Sequence, residues 1–176
     1  MKSFEEILEL LKSNFSGEND ISSSKEGTED IINVSPSMIK EVSKFLAQTG
    51  DLNFDSLILL SAVDDENGEK VKQEDESIDI TGGTLSIYYH IESVKLAHKL
   101  ILKVSVEREN PVTISVSSVW GCANWHEREA FDMIGIIFNE HPDLKRILLP
   151  YDWEGGYPLR KDYRNPEFYN GMKVPY

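Results

Sequence analysis

The period of the apolar residues changes from helical to alternating part-way along the chain, and this change limits the fold more than any other sequence feature. Before residue 50 the apolar positions follow the three-to-four-residue spacing of an amphipathic helix. The spacing predicts helices over residues 3–15 and 36–49. Ser35, as an N-cap before Pro36, and Gly50, as a left-handed stop, would bound the second helix. The inward-facing positions are Phe4, Ile7, Leu8, Leu11, Phe15, Ile39, Val42, Phe45 and Leu46.

Strand patterns replace the helical ones from residue 57 onward. Residues 57–63 are a continuous apolar run of strand length, whereas residues 85–91 and 100–106 alternate apolar and polar side chains, as half-buried strands do. A fourth strand, over residues 112–116, follows a short Asn-Pro turn. The short turn predicts an antiparallel hairpin between the third and fourth strands.

The order of these elements predicts the fold class. A third helix is expected over residues 123–134, where Gly135 could end it. Two helices are followed by a strand meander, without the strand–helix alternation of a parallel α/β sheet. We therefore predict an α+β fold: a mostly antiparallel four-stranded sheet covered by helices, with an extended C-terminal tail. The length of 176 residues fits one such domain over residues 1–156, followed by a tail over residues 157–176.

Net charge and cysteine content narrow the possible partners and cofactors. With 18 Lys and Arg against 31 Asp and Glu, the net charge of −13 repels phosphate backbones, so we expect no nucleic-acid partner. The single cysteine, Cys122, cannot form an internal disulfide or alone supply the thiolates of an iron–sulfur cluster. Two acidic stretches poor in apolar residues, 16–30 and 64–83, are interpreted as solvated loops, with an acidic partner surface as the alternative.

The last twenty residues have a different composition from the rest of the chain. Residues 157–176 contain five aromatic residues, four basic residues and three prolines, but almost no aliphatic periodicity. Such a segment cannot fold around a core of its own. Aromatic and Arg side chains are the types enriched at protein interfaces, so the segment is either a partner-wrapping tail or a frayed terminus.

The region of the third helix contains residues that could carry chemistry, but no complete site. His126 begins a two-histidine zinc motif in which Ala130 stands in place of the second histidine. A metal held by His126, Glu129 and distant His141 is a weaker alternative. Cys122, just before the helix, could be an activated nucleophile, but a buried, inert thiol is the simpler interpretation.

Carboxylates on the same helix could instead act in acid–base catalysis. Glu127, Glu129 and Asp132 leave a small independent enzyme as an alternative function. Arg128 lies among these acids and favours ion pairing, so we interpret the group as a paired cluster that faces an interface. We predict no catalytic, cofactor-binding or metal-binding residue in this chain. Residues 141–150 then predict a proline-fixed turn leading into a short apolar strand.

Four segments of the C-terminal half resemble one family signature. They read WHEREAFDMIGIIF at residues 125–138, HPDLKRILLP at 141–150, DWEG at 152–155 and PLRKDY at 158–163. Together they are similar to the 30-kDa subunit (the C subunit) of respiratory complex I. The preceding half matches that family only in length and order. One departure is visible, because two glycines rather than one precede Tyr157, which puts the local path of residues 153–158 in question.

The resemblance implies a cofactor-free subunit of the hydrophilic arm of a proton-pumping NADH:quinone oxidoreductase. NADH, FMN, iron–sulfur clusters and quinone would be bound by other subunits. Its partners would be the 49-kDa-type subunit that forms the quinone site, over which the tail wraps, and the subunit that holds the terminal cluster. Its role would be assembly and positional support. Membrane contact would be indirect, on the cytoplasmic side of the inner (plasma) membrane, or on the matrix side in a mitochondrion.

The resemblance and the composition together predict which residues contact other subunits. The helix charges would form an ion-pair network at a subunit junction, the basic tail residues would bind acidic partner sites, and the tail aromatics would be anchors. The predicted interface residues are Trp125, Glu127, Arg128, Glu129, Asp132, His141, Arg146, Arg160, Lys161, Asp162, Tyr163, Arg164, Phe168 and Tyr169. The homologous subunit of a membrane-bound hydrogenase, or of another donor:quinone dehydrogenase complex, remains an alternative of the same kind.

Overall fold

The computed structural model describes residues 2–15, 20–73 and 78–173. It has an α+β architecture with three helices and eleven strands among these residues. In chain order they are α1 (Phe4–Asn14), β1 (Ile21–Glu26), β2 (Glu29–Val34), α2 (Ile39–Gln48), β3 (Ser56–Asp64), β4 (Glu69–Lys72), β5 (Ile78–Thr81), β6 (Thr84–Ser93), β7 (His98–Glu107), β8 (Val112–Ile114), α3 (Ala123–Met133), β9 (Ile137–Asn139), β10 (Phe168–Tyr169) and β11 (Met172–Lys173).

The first helix confirms the sequence prediction, whereas the second is shorter than expected. Ser3 and Glu6 cap α1 reciprocally, and Ile7 and Leu11 bury its apolar face. Helix α2 does not begin at Pro36. The Met38 amide donates to the Ser35 carbonyl at 3.0 Å, so residues 35–38 form a turn before the helix. The helix ends at Gln48, and Gly50 does not adopt the left-handed conformation that we predicted.

The main sheet has five strands, in the order β1-β2-β7-β6-β3, rather than four. Its β2–β7 pair is parallel and the other pairs are antiparallel. The two additional strands form the β1–β2 hairpin, and the predicted loop over residues 16–30 contains β1 and only the start of β2. The sequence of β1 is Ile-Ser-Ser-Ser-Lys-Glu, so most of its side chains are exposed and it pairs through its backbone without an apolar alternation. Residues 16–19 of that predicted loop lie outside the described residues.

The second predicted loop, over residues 64–83, also contains strands. β4 pairs with β5 as a separate antiparallel hairpin whose side chains are mostly exposed. Hydrophobic periodicity cannot reveal a strand that buries almost nothing. Residues 74–77 of this predicted loop lie outside the described part of the chain.

The predicted antiparallel hairpin of the third and fourth strands is wrong. β8 leaves the main sheet and pairs in parallel with β9, which comes from residues beyond α3. The side chain of Arg108, directly after β7, is buried in an ion pair with Asp64, and the chain turns away from the sheet beyond it. The pairing partner of β8 therefore depends on tertiary contacts that local turn chemistry does not encode.

The third helix confirms its predicted span, because α3 covers Ala123–Met133 and Gly135 follows at φ +88°. The predicted short strand within residues 141–150 does not form. The backbone amides of Ile147, Leu148 and Leu149 donate to the carboxylate of Asp132 instead of to a neighbouring strand. The loop takes its shape from one buried acid.

A single apolar core joins all three helices to one face of the main sheet. Tyr89, Phe54 and Phe138 are the largest side chains that are fully buried in it. α3 packs on β3, at the edge of the sheet, and the sheet thereby sets the position of the charged residues of this helix. No helix within the described ranges is long and apolar enough to cross a bilayer.

Candidate functional site

Asp132 organises the segment that follows β9. One of its carboxylate oxygens accepts the amides of Ile147, Leu148 and Leu149 at 2.8–3.0 Å, and the other accepts from the Arg146 guanidinium at 2.8 Å. Burial alone would raise the pKa of Asp132, but these hydrogen bonds outweigh it and lower the pKa. Arg146 also donates to the Trp153 carbonyl at 3.3 Å. The end of α3 therefore fixes residues 146–153 through one ionised, saturated carboxylate.

Glu127 is buried more than one turn earlier in α3, and none of the Lys and Arg side chains in the described ranges forms an ion pair with it. Its carboxylate accepts from the Ser115 hydroxyl at 2.6 Å and from the Val116 amide at 2.7 Å. Burial raises the pKa of Glu127 to about 7, although both hydrogen bonds oppose this rise. Glu127 thus ties α3 to the segment after β8.

His141 lies beside Glu127 and contacts two backbone groups. Its Nε2 is 3.9 Å from a carboxylate oxygen of Glu127, and the same atom is 3.1 Å from the Asn124 carbonyl. Its Nδ1 accepts the Asp143 amide at 3.0 Å. Both ring nitrogens therefore lie at hydrogen-bond distance from backbone groups. His141 holds the start of the loop against α3.

Arg128 and Glu129 point in different directions from these two acids. Arg128 donates to the carbonyls of Lys145 and Arg146 at 3.2 and 3.4 Å and lies 5.0 Å from the ring of Trp125. Glu129 is exposed. The predicted ion-pair network among the four charged residues of α3 is therefore wrong, because three of them bind separate parts of their own chain. Their predicted role at a subunit junction stays a prediction.

A second buried charge cluster joins the sheet to the beginning of the tail. Arg108 binds Asp64 and Asp162 at 2.6 Å each, and Asp64 also accepts the Lys161 amide at 2.8 Å. Burial would raise the pKa of Asp64, but Arg108 and the Lys161 amide outweigh burial and lower it. Sequence reasoning missed Asp64 and Arg108. The available signal was an ionisable residue directly at the end of each of two apolar strands.

Residues 157–162, which we call the strap, lie on their own domain. The Leu159 amide donates to the Met133 carbonyl at 3.0 Å, and the Arg160 guanidinium donates to the Ile134 carbonyl at 2.7 Å. Arg160 also stacks 4.6 Å from the ring of Tyr157. The strap is neither frayed nor dependent on a partner for its contacts, because it is tied to the end of α3 and to Asp64 of the same chain.

The doubled glycine before Tyr157 has a local explanation. An ideal Cβ on Gly155 would lie 2.6 Å from the ring of Trp153, and Gly156 has φ +82°. The Trp153 indole donates to the Gly156 carbonyl at 3.0 Å. The turn closes over the indole ring, which leaves no space for a side chain at the first glycine.

Beyond the strap, β10 and β11 form a small antiparallel hairpin. Tyr169 donates to Asp152 at 2.8 Å and its ring lies 5.6 Å from that of Trp153. Arg164 pairs with Asp79. Phe168 is exposed, whereas Tyr163 is half-buried. Contacts between these residues and a partner stay a prediction.

Glu127, Asp132 and Cys122, which the sequence offered as reactive groups, each contact their own chain. No group of three or more His, Cys, Asp and Glu side chains in the described ranges could hold a metal ion. Glu127 and Asp132 are buried and hydrogen-bonded to their own chain. Cys122 is exposed, so the expectation of a buried thiol is wrong, and its Sγ is 3.5 Å from the Leu57 carbonyl.

Most of the chain matches one protein family. Residues 32–169 match the family described as respiratory-chain NADH dehydrogenase, 30 Kd subunit. A protein of Chlorobium phaeobacteroides, named as the C subunit of NADH-quinone oxidoreductase, is 44% identical over 137 residues, which are 77% of this chain and 74% of the relative. A protein of the same name from Chloroherpeton thalassium is 42% identical over 136 residues, which are 77% of this chain but only 50% of the relative.

Two solved structures share the fold. The trypsin-resistant fragment of Nqo5 has a TM-score of 0.57 at 22% identity, and the match covers 80% of this chain and 98% of the fragment. A chain of the membrane-bound sulfane sulfur reductase, an archaeal respiratory membrane complex, has a TM-score of 0.59 at 18% identity, covering 91% of this chain and 85% of that one. At these identities the likeness concerns the fold alone.

Proposed function

The chain belongs to the respiratory-chain NADH dehydrogenase 30-kDa subunit family, and from this membership we propose that it works as a peripheral-arm subunit of an NADH:quinone oxidoreductase. In this proposal the chain carries no cofactor. NADH, FMN, iron–sulfur clusters and quinone are bound by other subunits. Its own task is to hold the 49-kDa-type quinone-site subunit and the terminal-cluster subunit in register during electron transfer.

One observation carries the proposal: buried charges fix the backbone from which large apolar side chains project into solvent. Asp132, Arg146 and Arg108 hold the loop and the strap by hydrogen bonds and ion pairs. Exposed apolar side chains supported by rigid backbone are typical of protein interfaces. In α3 and the segments after it, the exposed large apolar side chains are Trp125, Ile137, Leu148, Tyr151, Leu159, Phe168 and Met172.

The proposed partners also explain why charged side chains of α3 bind the backbone of their own chain. A subunit that acts by position needs a surface whose shape does not change when its partners bind, because ordering a loose loop on binding lowers affinity. Asp132 and Glu127 each bind backbone amides of segments distant in sequence. We propose that the chain meets the membrane only through its partners, on the cytoplasmic side, or on the matrix side in an organelle.

The test is purification of the assembled complex through a tag on this chain, from native membranes in mild detergent. Mass spectrometry should identify the quinone-site and terminal-cluster subunits together with the flavin-bearing NADH dehydrogenase subunits, and the preparation should oxidise NADH with quinone as acceptor. The isolated chain should show no turnover. Recovery of a monomer with its own catalytic activity would contradict the proposal.

A second candidate function follows from the sulfane sulfur reductase neighbour, since the same fold occurs in a respiratory membrane complex of another name. In that case the chain would support a complex fed by another electron donor. The same purification separates the two candidates. Hydrogenase or sulfur-reducing subunits in place of the NADH dehydrogenase subunits would favour the second.

A further inference from the structure

Arg160, in the strap, is held from two sides but leaves part of its guanidinium group unused. Its Nε donates to the Ile134 carbonyl at 2.7 Å, and its guanidinium carbon lies 4.6 Å from the centre of the Tyr157 ring. The terminal nitrogens, Nη1 and Nη2, have no hydrogen-bond partner within residues 2–15, 20–73 and 78–173. These nitrogens carry most of the N–H donors of an arginine. Because Arg160 lines an open pocket beside the strap, a group from outside the chain can reach them.

The other four arginines of the chain use terminal nitrogens for contacts within it. These contacts are with Asp64 and Asp162 for Arg108, with the Arg146 carbonyl for Arg128, with Asp132 for Arg146 and with Asp79 for Arg164. The chain contains 31 Asp and Glu against 18 Lys and Arg, so acids are not scarce. Arg160 is therefore the arginine to which the described part of the chain supplies no acid.

The surroundings of Arg160 leave its positive charge uncompensated. Burial and the charge of Arg108 lower the pKa of Arg160, although one tyrosine and two acids oppose this effect. The two acids, Asp64 and Asp162, are already bound to Arg108 at 2.6 Å each. A half-buried guanidinium group in this position is stabilised by an anion that comes from outside the chain.

The residues on either side of Arg160 are fixed by backbone hydrogen bonds. On one side, the Leu159 amide donates to the Met133 carbonyl at 3.0 Å. On the other side, the Lys161 amide donates to the Asp64 carboxylate at 2.8 Å. Since its side chain is also held at two points, Arg160 needs little ordering when a ligand binds, and this favours affinity.

The pocket at Arg160 favours a carboxylate on a protein over a phosphate. Its volume is about 320 Å³, and Asp162 lines it together with Arg160. A phosphate group, with a charge of about −2, would be repelled by Asp162. A carboxylate carries a single charge, and its two oxygens match the two terminal nitrogens of arginine. Leu159, directly before Arg160, is 52% exposed, so a protein surface would cover this apolar side chain in the same contact.

We propose that Arg160 binds the carboxylate of an Asp or Glu side chain of another subunit, with each terminal nitrogen donating to one carboxylate oxygen. This inference rests on the proposed function, in which the chain works inside a multi-subunit complex. It distinguishes Arg160 from two other arginines predicted for the interface, because Arg146 and Arg164 bind acids of their own chain.

Chemical modification of arginine measures the contact directly. The isolated full chain and the purified complex are treated with phenylglyoxal, and the modified peptides are quantified by mass spectrometry. Arg160 should react about tenfold or more slowly in the complex, because the carboxylate occupies its terminal nitrogens. Arg108, buried in two ion pairs of its own chain, is the control and should stay unreactive in both samples. A complex that contains partner subunits but leaves the rate at Arg160 unchanged would overturn this inference and leave the proposed function intact.

Matched variants separate partner binding from a purely structural role at the end of α3. Arg160→Gln should lower recovery of partner subunits by about tenfold, because a carboxylate at the interface loses its cation. Lys161→Gln is the control, since it removes the same charge from the next, exposed position. Urea unfolding of the isolated variants measures what the lost hydrogen bond to Ile134 contributes. Lower stability of Arg160→Gln with unchanged partner recovery would assign Arg160 to capping α3 and contradict the proposal.

A carbodiimide crosslink identifies the bound group in the complex purified through Arg160→Lys. The reagent joins an amine to a carboxylate that contacts it, whereas a guanidinium group does not react. The expected crosslink joins the introduced lysine to an Asp or Glu of another subunit. Protection of Arg160 from phenylglyoxal without such a crosslink, or a crosslink only to an acid of this chain, would overturn the inference. Absence of every partner from the purification would instead contradict the proposed function together with this inference.

Discussion

The ring of Tyr157 occupies the space that a side chain on Gly135 would need. An ideal Cβ at Gly135 would come within 2.5 Å of the Tyr157 ring, and Gly135 itself has φ +88°. The first strap residue therefore packs directly against Gly135. The same glycine allows the left-handed turn after α3 and leaves the space that the strap fills.

Gly135→Ala should destabilise the chain through two effects. The left-handed backbone costs about 1 kcal/mol for a non-glycine residue, and displacement of Tyr157 adds to this cost. Gly27→Ala is the matched control, because Gly27 has φ +61° but nothing within 4 Å of an added Cβ. Urea unfolding should show a larger loss for Gly135→Ala than for Gly27→Ala. Equal losses would show that the Tyr157 contact contributes nothing.

Asp132→Asn should loosen the loop after β9. The substitution removes the charge partner of Arg146 and weakens three amide hydrogen bonds, so we expect a loss of about 2–4 kcal/mol in the free energy of unfolding. Glu129→Gln, at an exposed neighbouring position, should change it by less than about 0.5 kcal/mol. Hydrogen exchange at residues 147–149 should accelerate only in the first variant. Protection that persists in Asp132→Asn would refute the role of this carboxylate.

Glu127 should make stability fall as pH rises through a defined window. Its pKa in the folded chain is about 7, above the ordinary value of 4.5, so between these values unfolding releases a proton and is favoured by rising pH. Below pH 4.5 the folded carboxyl is protonated. Above pH 7 it is ionised, and the full cost of burying the charge lowers the stability. The free energy of unfolding of the wild type relative to Glu127→Gln should fall by on the order of 3 kcal/mol from pH 4.5 to 7.

The comparison of the wild type with Glu127→Gln separates the contribution of Glu127 to stability from that of the other titratable groups. Asp64 and Asp132 have lowered pKa values, so their contributions to stability are lost only as pH falls toward their folded pKa values, and they are the same in both proteins. Urea unfolding at several pH values provides the measurement. A difference that stays constant with pH would mean that folding does not raise the pKa of Glu127.

Arg108→Met should leave Asp64 buried without its cation. Removal of one member of a buried ion pair costs about 3–5 kcal/mol, because the remaining charge is uncompensated. The double variant Arg108→Met, Asp64→Asn should recover part of this loss, since no buried charge then remains at this position. Additive losses in the double variant would contradict the coupling that the structure shows.

The helices and central strands could be predicted because they bury apolar residues at regular spacing. α1, α3, β6 and β7 follow the predicted spans within a few residues. β1 could not be predicted in this way, because its serines are exposed and only its backbone is paired. The β8–β9 pair joins residues on either side of α3, which no local pattern encodes.

The sequence predicted several residues of the candidate site, but not the contacts that they make with each other. The signature segments contain Asp132 and Arg146, yet their spacing does not reveal that Asp132 binds three successive amides. The Arg108–Asp64 pair was missed because each residue lies among other charged residues, in Asp64-Asp65-Glu66 and Glu107-Arg108-Glu109, and the two are far apart in sequence.

Removal of residues 165–176 tests the central claim, that this chain acts by holding its partners, most directly. The cut leaves the strap and its contacts with Asp64, Ile134 and Met133 in place. We expect the isolated truncated chain to unfold at nearly the same urea concentration as the full chain, whereas the complex purified through it should lose its partner subunits. Normal yield of an intact, NADH-oxidising complex from the truncated chain would contradict the account.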